Sequence, residues 1–287
     1  MASITITDIR QNAVTDLTKS GITKNEASIE ADILVEHVFK ITKKDLLINP
    51  DKTVQEILLN KFNGLVQERI NKRIPVQYLV NKAIFMGEEF YVDKNVLIPR
   101  PETEILVEES VKLIKNSIKN DLSIIDIGTG SGCVACMLAK KTGCKIIASD
   151  ISEKALNVAK FNADKLDVAD KVEFMQSDIL AGINKNFDFI VSNPPYIPLK
   201  DRETLQFEIS GHEPHLALFA DDEKGISFYE KLIEQTEHKL NKNGYFLVEI
   251  GIFQAPYITE LLNKAGFVGI KIIKDFNSID RVVIAKK

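Results

Sequence analysis

An apolar run in the 287-residue sequence turns through three glycines, Ile124-Ile125-Asp126-Ile127-Gly128-Thr129-Gly130-Ser131-Gly132. Glycine lets a backbone take positive φ and come close to a ligand. Alone, such a strand-to-helix turn serves a dinucleotide, a nucleotide or merely a tight corner. Two acids narrow the choice. Asp150, about 20 residues on, stands where a carboxylate accepts hydrogen bonds from both ribose hydroxyls. Asp126 precedes the glycines, where a carboxylate would face a cation rather than a pyrophosphate.

A cationic nucleoside fits that set, and S-adenosylmethionine has the character: a ribose for Asp150, an ammonium and a sulfonium beside an acidic loop, and no phosphate that needs a basic residue. Asp178, after the third strand run, would lie near the adenine end of the same pocket.

The second constellation is Ser192-Asn193-Pro194-Pro195-Tyr196, at the end of the apolar run Phe187 to Val191. Each proline lacks a backbone donor and fixes φ, so the pair cannot continue a central strand and instead holds a rigid turn. On that turn the Asn193 side-chain oxygen and the Pro194 carbonyl can accept both N–H groups of a planar amine or amide, while Tyr196 offers a ring face. An amide nitrogen is a poor nucleophile because its lone pair is delocalised into the carbonyl. Hydrogen bonds to its two protons raise electron density on nitrogen as the new carbon–nitrogen bond forms, and they hold nitrogen in line with the methyl donor. No strong base is needed beforehand, because the proton is acidic once nitrogen is cationic.

Both constellations need elements to place them. From about Ile98 onward, strand runs alternate with amphipathic helices, the pattern of a sheet covered on both faces. Strands are expected over 123–127, 145–149, 172–176, 187–192, 245–250, 268–273 and 281–285, with helices starting near Glu102, Ser131, Ser152, Gly225 and Gln254. Residues 1–82 read as helical. Thr23 with Glu26, and Thr53 with Glu56, fit the capping box. Val54, Ile57, Leu58, Phe62, Leu65, Val66 and Ile70 trace an apolar stripe that Pro75 brings to an end. Residues 83–98, with Gly87 as a turn signal, read as a β-hairpin joining two domains.

Composition excludes several classes. Hydrophobic residues make up 45% and charged residues 27%, the balance of a globular chain. The net charge of −4 leaves no global positive field to gather nucleic acid. The longest apolar run, Cys133 to Ala139, is far short of the roughly 18 residues of a membrane helix, and the N-terminus carries no basic, apolar leader, so a cytoplasmic protein is expected. Three cysteines argue against a disulfide framework. Cys133-x-x-Cys136 is read as the buried face of a helix, not a metal site, and His212-Glu213-Pro214-His215 as a surface or substrate-facing loop.

With these residues in view, the chain resembles the peptide chain release factor glutamine methyltransferases over nearly its whole length. The resemblance rests on Pro75-x-Gln77-Tyr78-Leu79, Phe85-Met86-Gly87, Ile98-Pro99-Arg100-Pro101-Glu102-Thr103-Glu104, the glycine loop, Asn193 to Tyr196, Glu213-Pro214-x-x-Ala217-Leu218, Glu249-Ile250-Gly251-x-x-Gln254 and Asp280-Arg281-Val282-Val283. The run from Ile98 to Glu104 is the most specific, since Asn-Pro-Pro-Tyr also occurs in DNA adenine methyltransferases. The resemblance implies an α/β fold: a helical bundle over 1–82, a β-hairpin over 83–98, and a Rossmann-like, seven-stranded class I methyltransferase domain over 99–287. It implies S-adenosylmethionine bound by Asp126, Gly128, Thr129, Gly130, Ser131, Gly132, Asp150, Asp178, Ile179 and Asn193. The substrate glutamine, in the Gly-Gly-Gln loop of bacterial class I release factors, would be held by Asn193, Pro194, Pro195 and Tyr196, of which Asn193, Pro194 and Tyr196 carry the chemistry.

The helical domain would dock the partner, and the chain is expected to be monomeric, with no metal. Three positions depart from the family's pattern: Ile179, where an aromatic residue often stands, and Arg73 and Asn81, where glycines are expected. Arg100 and Glu102 to Glu104 open a helix or help cover the cofactor. Two rivals remain: an adenine N6-methyltransferase acting on flipped-out bases, and a noncatalytic module that binds cofactor or partner.

Overall fold

The computed structural model describes residues 4–49 and 52–287, which divide into two compact units. The first runs to Asn81 and also takes in Phe207–His212. Its helices are α1 (Ile6–Lys19), α2 (Lys24–Phe39), α3 (Lys43–Ile48), α4 (Glu56–Lys72) and α5 (Val76–Val80). The starts of α1 and α3 are capping boxes, Thr5 with Asp8 and Thr42 with Asp45, and Thr23 accepts from the Glu26 N–H at the start of α2.

The expected box at Thr53 does not form. Thr53 pairs with Thr5 in an isolated β-bridge, so its extended backbone is engaged elsewhere, and α4 begins at Glu56 without a side-chain cap. The apolar stripe is also narrower than the sequence suggested. Phe62 and Val66 are buried, whereas Ile57 is 74% exposed, since it lies about 140° around the helix from Phe62. Pro75 opens the short helix α5 rather than ending the helical region. Arg73 and Asn81 follow α4 and α5 in the left-handed conformation, at φ 58° and 52°. That conformation is why glycine is expected there; asparagine tolerates it, and Arg73 is anchored by an ion pair to Glu208.

The second unit opens with a hairpin, β1 (Ala83–Phe85) and β2 (Glu88–Phe90). Met86 and Gly87 between them both have positive φ, as the right-handed twist of a two-residue turn requires. Residues 91–98 do not extend the ladder, because the backbone N–H and C=O of Tyr91 are both taken by the Asn162 amide, at 2.7 and 2.9 Å.

The chain continues through α6 (Thr103–Lys115), β3 (Ile124–Ile127), α7 (Cys133–Thr142), β4 (Ile146–Asp150), α8 (Glu153–Lys165), β5 (Val172–Gln176), β6 (Phe187–Ser192) and β7 (Ile197–Pro198). After these come α9 (Phe207–His212), α10 (His215–Leu218), β8 (Phe219–Ala220), α11 (Ser227–Lys239), β9 (Leu240–Glu249), α12 (Ala255–Lys264), β10 (Val268–Lys274) and β11 (Asp280–Lys286). Seven strands form one sheet in the order β10-β11-β9-β6-β3-β4-β5, parallel except for β11, which runs antiparallel to both its neighbours. Successive strand residues serve opposite faces. Ile124 packs with Leu106 and Val134 of α6 and α7, whereas Ile125 packs with Leu232 and Ile258 of α11 and α12. The fold is the expected Rossmann-like α/β sheet with a helical N-terminal region.

Arg69 is the charged centre of the first unit. It is 4% exposed, grips Glu30 with two nitrogens at 2.8 and 2.9 Å, and reaches Glu208 at 2.9 Å. Removing the guanidinium leaves the Glu30 carboxylate without this partner and Glu208 with Arg73 alone. Arg69→Ala is expected to cost about 3–5 kcal/mol of stability in urea unfolding, and a loss below about 1 kcal/mol would show that the cluster is not holding these helices together.

Candidate active site

The strand order reverses at β3: the chain steps outward through β4 and β5, then returns to β6 on the other side. Such a switch point opens a crevice at the carboxyl ends of the strands. Register aligns the residues just beyond those ends. Ile127 pairs with Ser149 on one side and Ser192 on the other, and Ser192 pairs with Val248. Asp150, Gly128, Asn193 and Glu249 therefore stand in a row across four neighbouring strands.

The glycine loop is folded from both sides. Gly128 and Thr129 donate to the Ser149 carbonyl, and the Ser192 hydroxyl donates to that of Ile127. Gly132 has φ 80°, and a Cβ there would sit 3.0 Å from the Ala159 Cβ, so helix α8 packs directly on the loop's backbone. Asn162, fully buried on α8, donates to the Ser131 carbonyl. Gly128, at φ 71°, has nothing within 4 Å of its Cβ position, which leaves room for a ligand against the backbone.

Asp150 is half-buried, and its two oxygens accept from the Gly130 and Ser152 N–H groups, each at 2.9 Å. A carboxylate has about four acceptor positions, so two remain for ribose hydroxyls. Asp126 differs from expectation. It is 1% exposed, and its Oδ2 accepts from the Thr129 hydroxyl at 2.7 Å and the Ala135 N–H at 3.2 Å. It braces the loop from within instead of facing a ligand's cation.

Asp178 is exposed beyond β5. The Ile179 side chain beside it is buried with Leu180 and Ile183, so little of it is left to meet an adenine. Its φ of 56° is a left-handed outlier for a β-branched residue, the kind of strain that collects at ligand sites. The loop offers acids, hydroxyls and backbone groups and no lysine or arginine. That set, with the Asp150 carboxylate beside it and Gly128 open, fits a nucleoside that carries no phosphate.

Asn193 lies on the turn after β6. Its Nδ2 donates to the Thr103 hydroxyl at 3.0 Å, and that hydroxyl donates to Glu249 Oε2 at 2.7 Å. The Tyr196 hydroxyl donates to the other Glu249 oxygen at 3.3 Å. A second buried amide, Gln254, fastens the surrounding loops: its Nε2 donates to the carbonyls of Tyr196 and Gly225, and its Oε1 accepts from the Gly251 N–H. Sequence reasoning placed Thr103 only in a segment that opens a helix or covers the cofactor, named Glu249 and Gln254 only as matches of the resemblance, and gave no role to Tyr229 or Asn162. The available signal was Glu249 itself, an acid ending an apolar strand run beside the crevice.

Residues 8–80 match the family described as PrmC N-terminal domain, and residues 103–208 the methyltransferase small domain. A release factor glutamine methyltransferase of Chlorobaculum tepidum is 35% identical over 266 residues, 90% of this chain and 89% of that one. One from Flavobacterium psychrophilum is 38% identical over 256 residues, 88% of each chain. The chain belongs to the release factor glutamine methyltransferase family. A crystal structure of a methyltransferase from Pyrococcus furiosus shares the fold at TM-score 0.55 and 22% identity, covering 76% of this chain and 98% of that one. The methyl donor of this release factor glutamine methyltransferase is S-adenosylmethionine.

The remaining motifs settle into supporting places. Glu213 is not at the surface: it is 4% exposed, paired with Arg100 at 2.6 Å, and accepts from the Ile98 N–H. His212 bonds the Lys72 carbonyl, while the His215 ring stands edge-on to Phe219. Cys133 and Cys136 are buried on α7, and burial pushes the Cys133 thiol up to about 12.

Burial pushes both Asp126 and Glu249 up to about 7, from ordinary values of 3.8 and 4.5. Between those limits the folded chain holds more protons than the unfolded one, so stability falls as pH rises. The thermal midpoint is expected to drop between about pH 5 and about pH 8, and to drop less in Glu249→Gln; a midpoint that rises over this range would contradict the assignment.

Proposed function

We propose that the protein transfers a methyl group from S-adenosylmethionine to the side-chain amide nitrogen, N5, of the glutamine in the Gly-Gly-Gln motif of peptide chain release factors. The observation that carries this reading is the Asn193 amide: with Nδ2 given to Thr103, its Oδ1 is the end left for a substrate N–H. When bound, S-adenosylmethionine supplies an electrophilic methyl group on a cationic sulfur.

The protein's part is to bind and orient. Asp150 and the glycine loop hold the ribose and backbone-facing side of the donor, with Asp178 at its adenine end. Asn193 Oδ1 and the Pro194 carbonyl accept the two amide protons, which fixes nitrogen in the transfer geometry and raises its electron density. Pro195 keeps the turn rigid, and the Tyr196 ring covers the amide plane. The proton leaves nitrogen after the carbon–nitrogen bond has formed, so no side chain has to act as a strong base.

The helical unit is the docking surface for the release factor, and the enzyme acts as a cytoplasmic monomer. No described helix is long and apolar enough to cross a membrane. Adenine methylation is disfavoured by the net charge of −4 and by the named relatives.

Two outcomes are expected. Asn193→Ala retains S-adenosylmethionine affinity in calorimetry, while turnover drops by roughly 100-fold or more, as for loss of one preorganised polar contact; near-normal turnover would remove Asn193 from the chemistry. Methyl-labelled S-adenosylmethionine labels an intact release factor but not its Gly-Gly-Gln glutamine-to-alanine variant or adenine-containing DNA. Label on the DNA instead would overturn the substrate and leave the amine-binding turn standing.

A further inference from the structure

An asparagine amide can turn either end toward a ligand, and only its oxygen accepts hydrogen. If Asn193 presented its NH₂ group, that group would meet the substrate's own N–H donors. The orientation is set by what lies behind it. Thr103 Oγ1 has one proton, which lies on the short 2.7 Å bond to Glu249 Oε2. Above about pH 7, where Glu249 is ionised, its carboxylate only accepts, so this proton cannot be turned around to serve Asn193. The Thr103 oxygen must therefore accept, and Nδ2 of Asn193 is the donor it meets, at 3.0 Å. Glu249, on the far side, also accepts from the Tyr196 hydroxyl.

Both Glu249 and Thr103 are buried and tied to their surroundings. Glu249 is 1% exposed and ends strand β9 directly after the residue that pairs with Ser192. Thr103 is 2% exposed, at the first turn of α6, with its N–H on the Arg100 carbonyl. The Tyr229 hydroxyl donates to the Glu249 carbonyl at 2.9 Å.

We infer that Thr103 and Glu249 are positioning residues that impose one direction on a hydrogen-bond chain, Asn193 to Thr103 to Glu249, and thereby make the Asn193 oxygen face the substrate amide. This rests on the proposed role of Asn193 in glutamine methylation. The chain also explains a preference in chemistry. A site whose reachable groups are two oxygen acceptors, Asn193 Oδ1 and the Pro194 carbonyl, takes a group with two N–H donors and rejects a carboxylate of the same shape.

The test is a double-mutant cycle on the full-length protein with S-adenosylmethionine and a release factor. Thr103→Val keeps the shape and removes the hydroxyl, and Thr103→Ser restores it. The expected result is a fall in kcat of about 10- to 100-fold for Thr103→Val, with cofactor Kd and KM changed little and the melting temperature lowered because buried Glu249 loses a donor, and recovery of kcat to within about threefold for Thr103→Ser. In the Asn193→Ala background, Thr103→Val should cost less than about threefold more, because it acts through a group already gone. Should the valine variant misfold, Thr103→Ala, which only removes atoms, is read in the same way.

Losses that multiply in the double variant, or a Thr103→Val enzyme with normal kcat, overturn the inference while leaving the proposed function intact. A wild-type enzyme that transfers nothing to release factors, or an Asn193→Ala enzyme with normal turnover, overturns the proposed function and this inference with it.

Discussion

Glu249 is a carboxylate almost completely enclosed by protein, and its side chain is satisfied by two hydroxyls, not by a cation. Burying a charge in this way is costly unless every acceptor finds a donor, which makes the geometry around it exacting. Thr103 and Tyr196 are the donors, Asn193 hangs from Thr103, and the Tyr196 backbone is tied in turn to Gln254. The turn carrying the two prolines is thus fastened at both its asparagine and its tyrosine. Strand register then brings this fastened turn beside the glycine loop.

The second constraint is the reversal of strand order at β3. It places segments far apart in the chain, from residue 103 to residue 254, around one crevice. Pairing strands of this kind closes long loops, whose entropy the packed sheet has to offset. Of the helices that cover the two faces, α6 supplies Thr103 from its first turn. Together they hold the strand ends in line, and α8 adds a direct brace through Asn162 to the glycine loop.

Much of this was legible before the structure, for identifiable reasons. The strand runs ending at Ile127 and Ser192 are largely apolar, with Asp126 and Asp188 as their charged exceptions, because both faces of the parallel sheet are covered, and the glycines and prolines after them punctuate the chain sharply. Asp150 was expected at the end of the second strand run, and it stands at the end of β4. Other features were invisible because they depend on three-dimensional partners. Nothing local shows that Asp126 turns inward to Thr129 and Ala135, or that Thr53 gives up its cap to pair with Thr5. The buried Glu213 could not be told from a loop acid without Arg100 beside it. The roles of Thr103 and Glu249 come from a pairing across 146 positions of sequence, which no periodicity reports. Arg73 and Asn81 show the reverse case, where glycine was expected from pattern and the left-handed conformation is nonetheless present.

The decisive question is which atom receives the methyl group. The direct measurement is fragmentation mass spectrometry of a release factor after reaction with this enzyme and S-adenosylmethionine, with the modified position located along the Gly-Gly-Gln peptide. A single added methyl on the glutamine side-chain nitrogen is the result expected from a turn that accepts two amide protons. A methyl carried by another residue, or by the backbone of that loop, would contradict it.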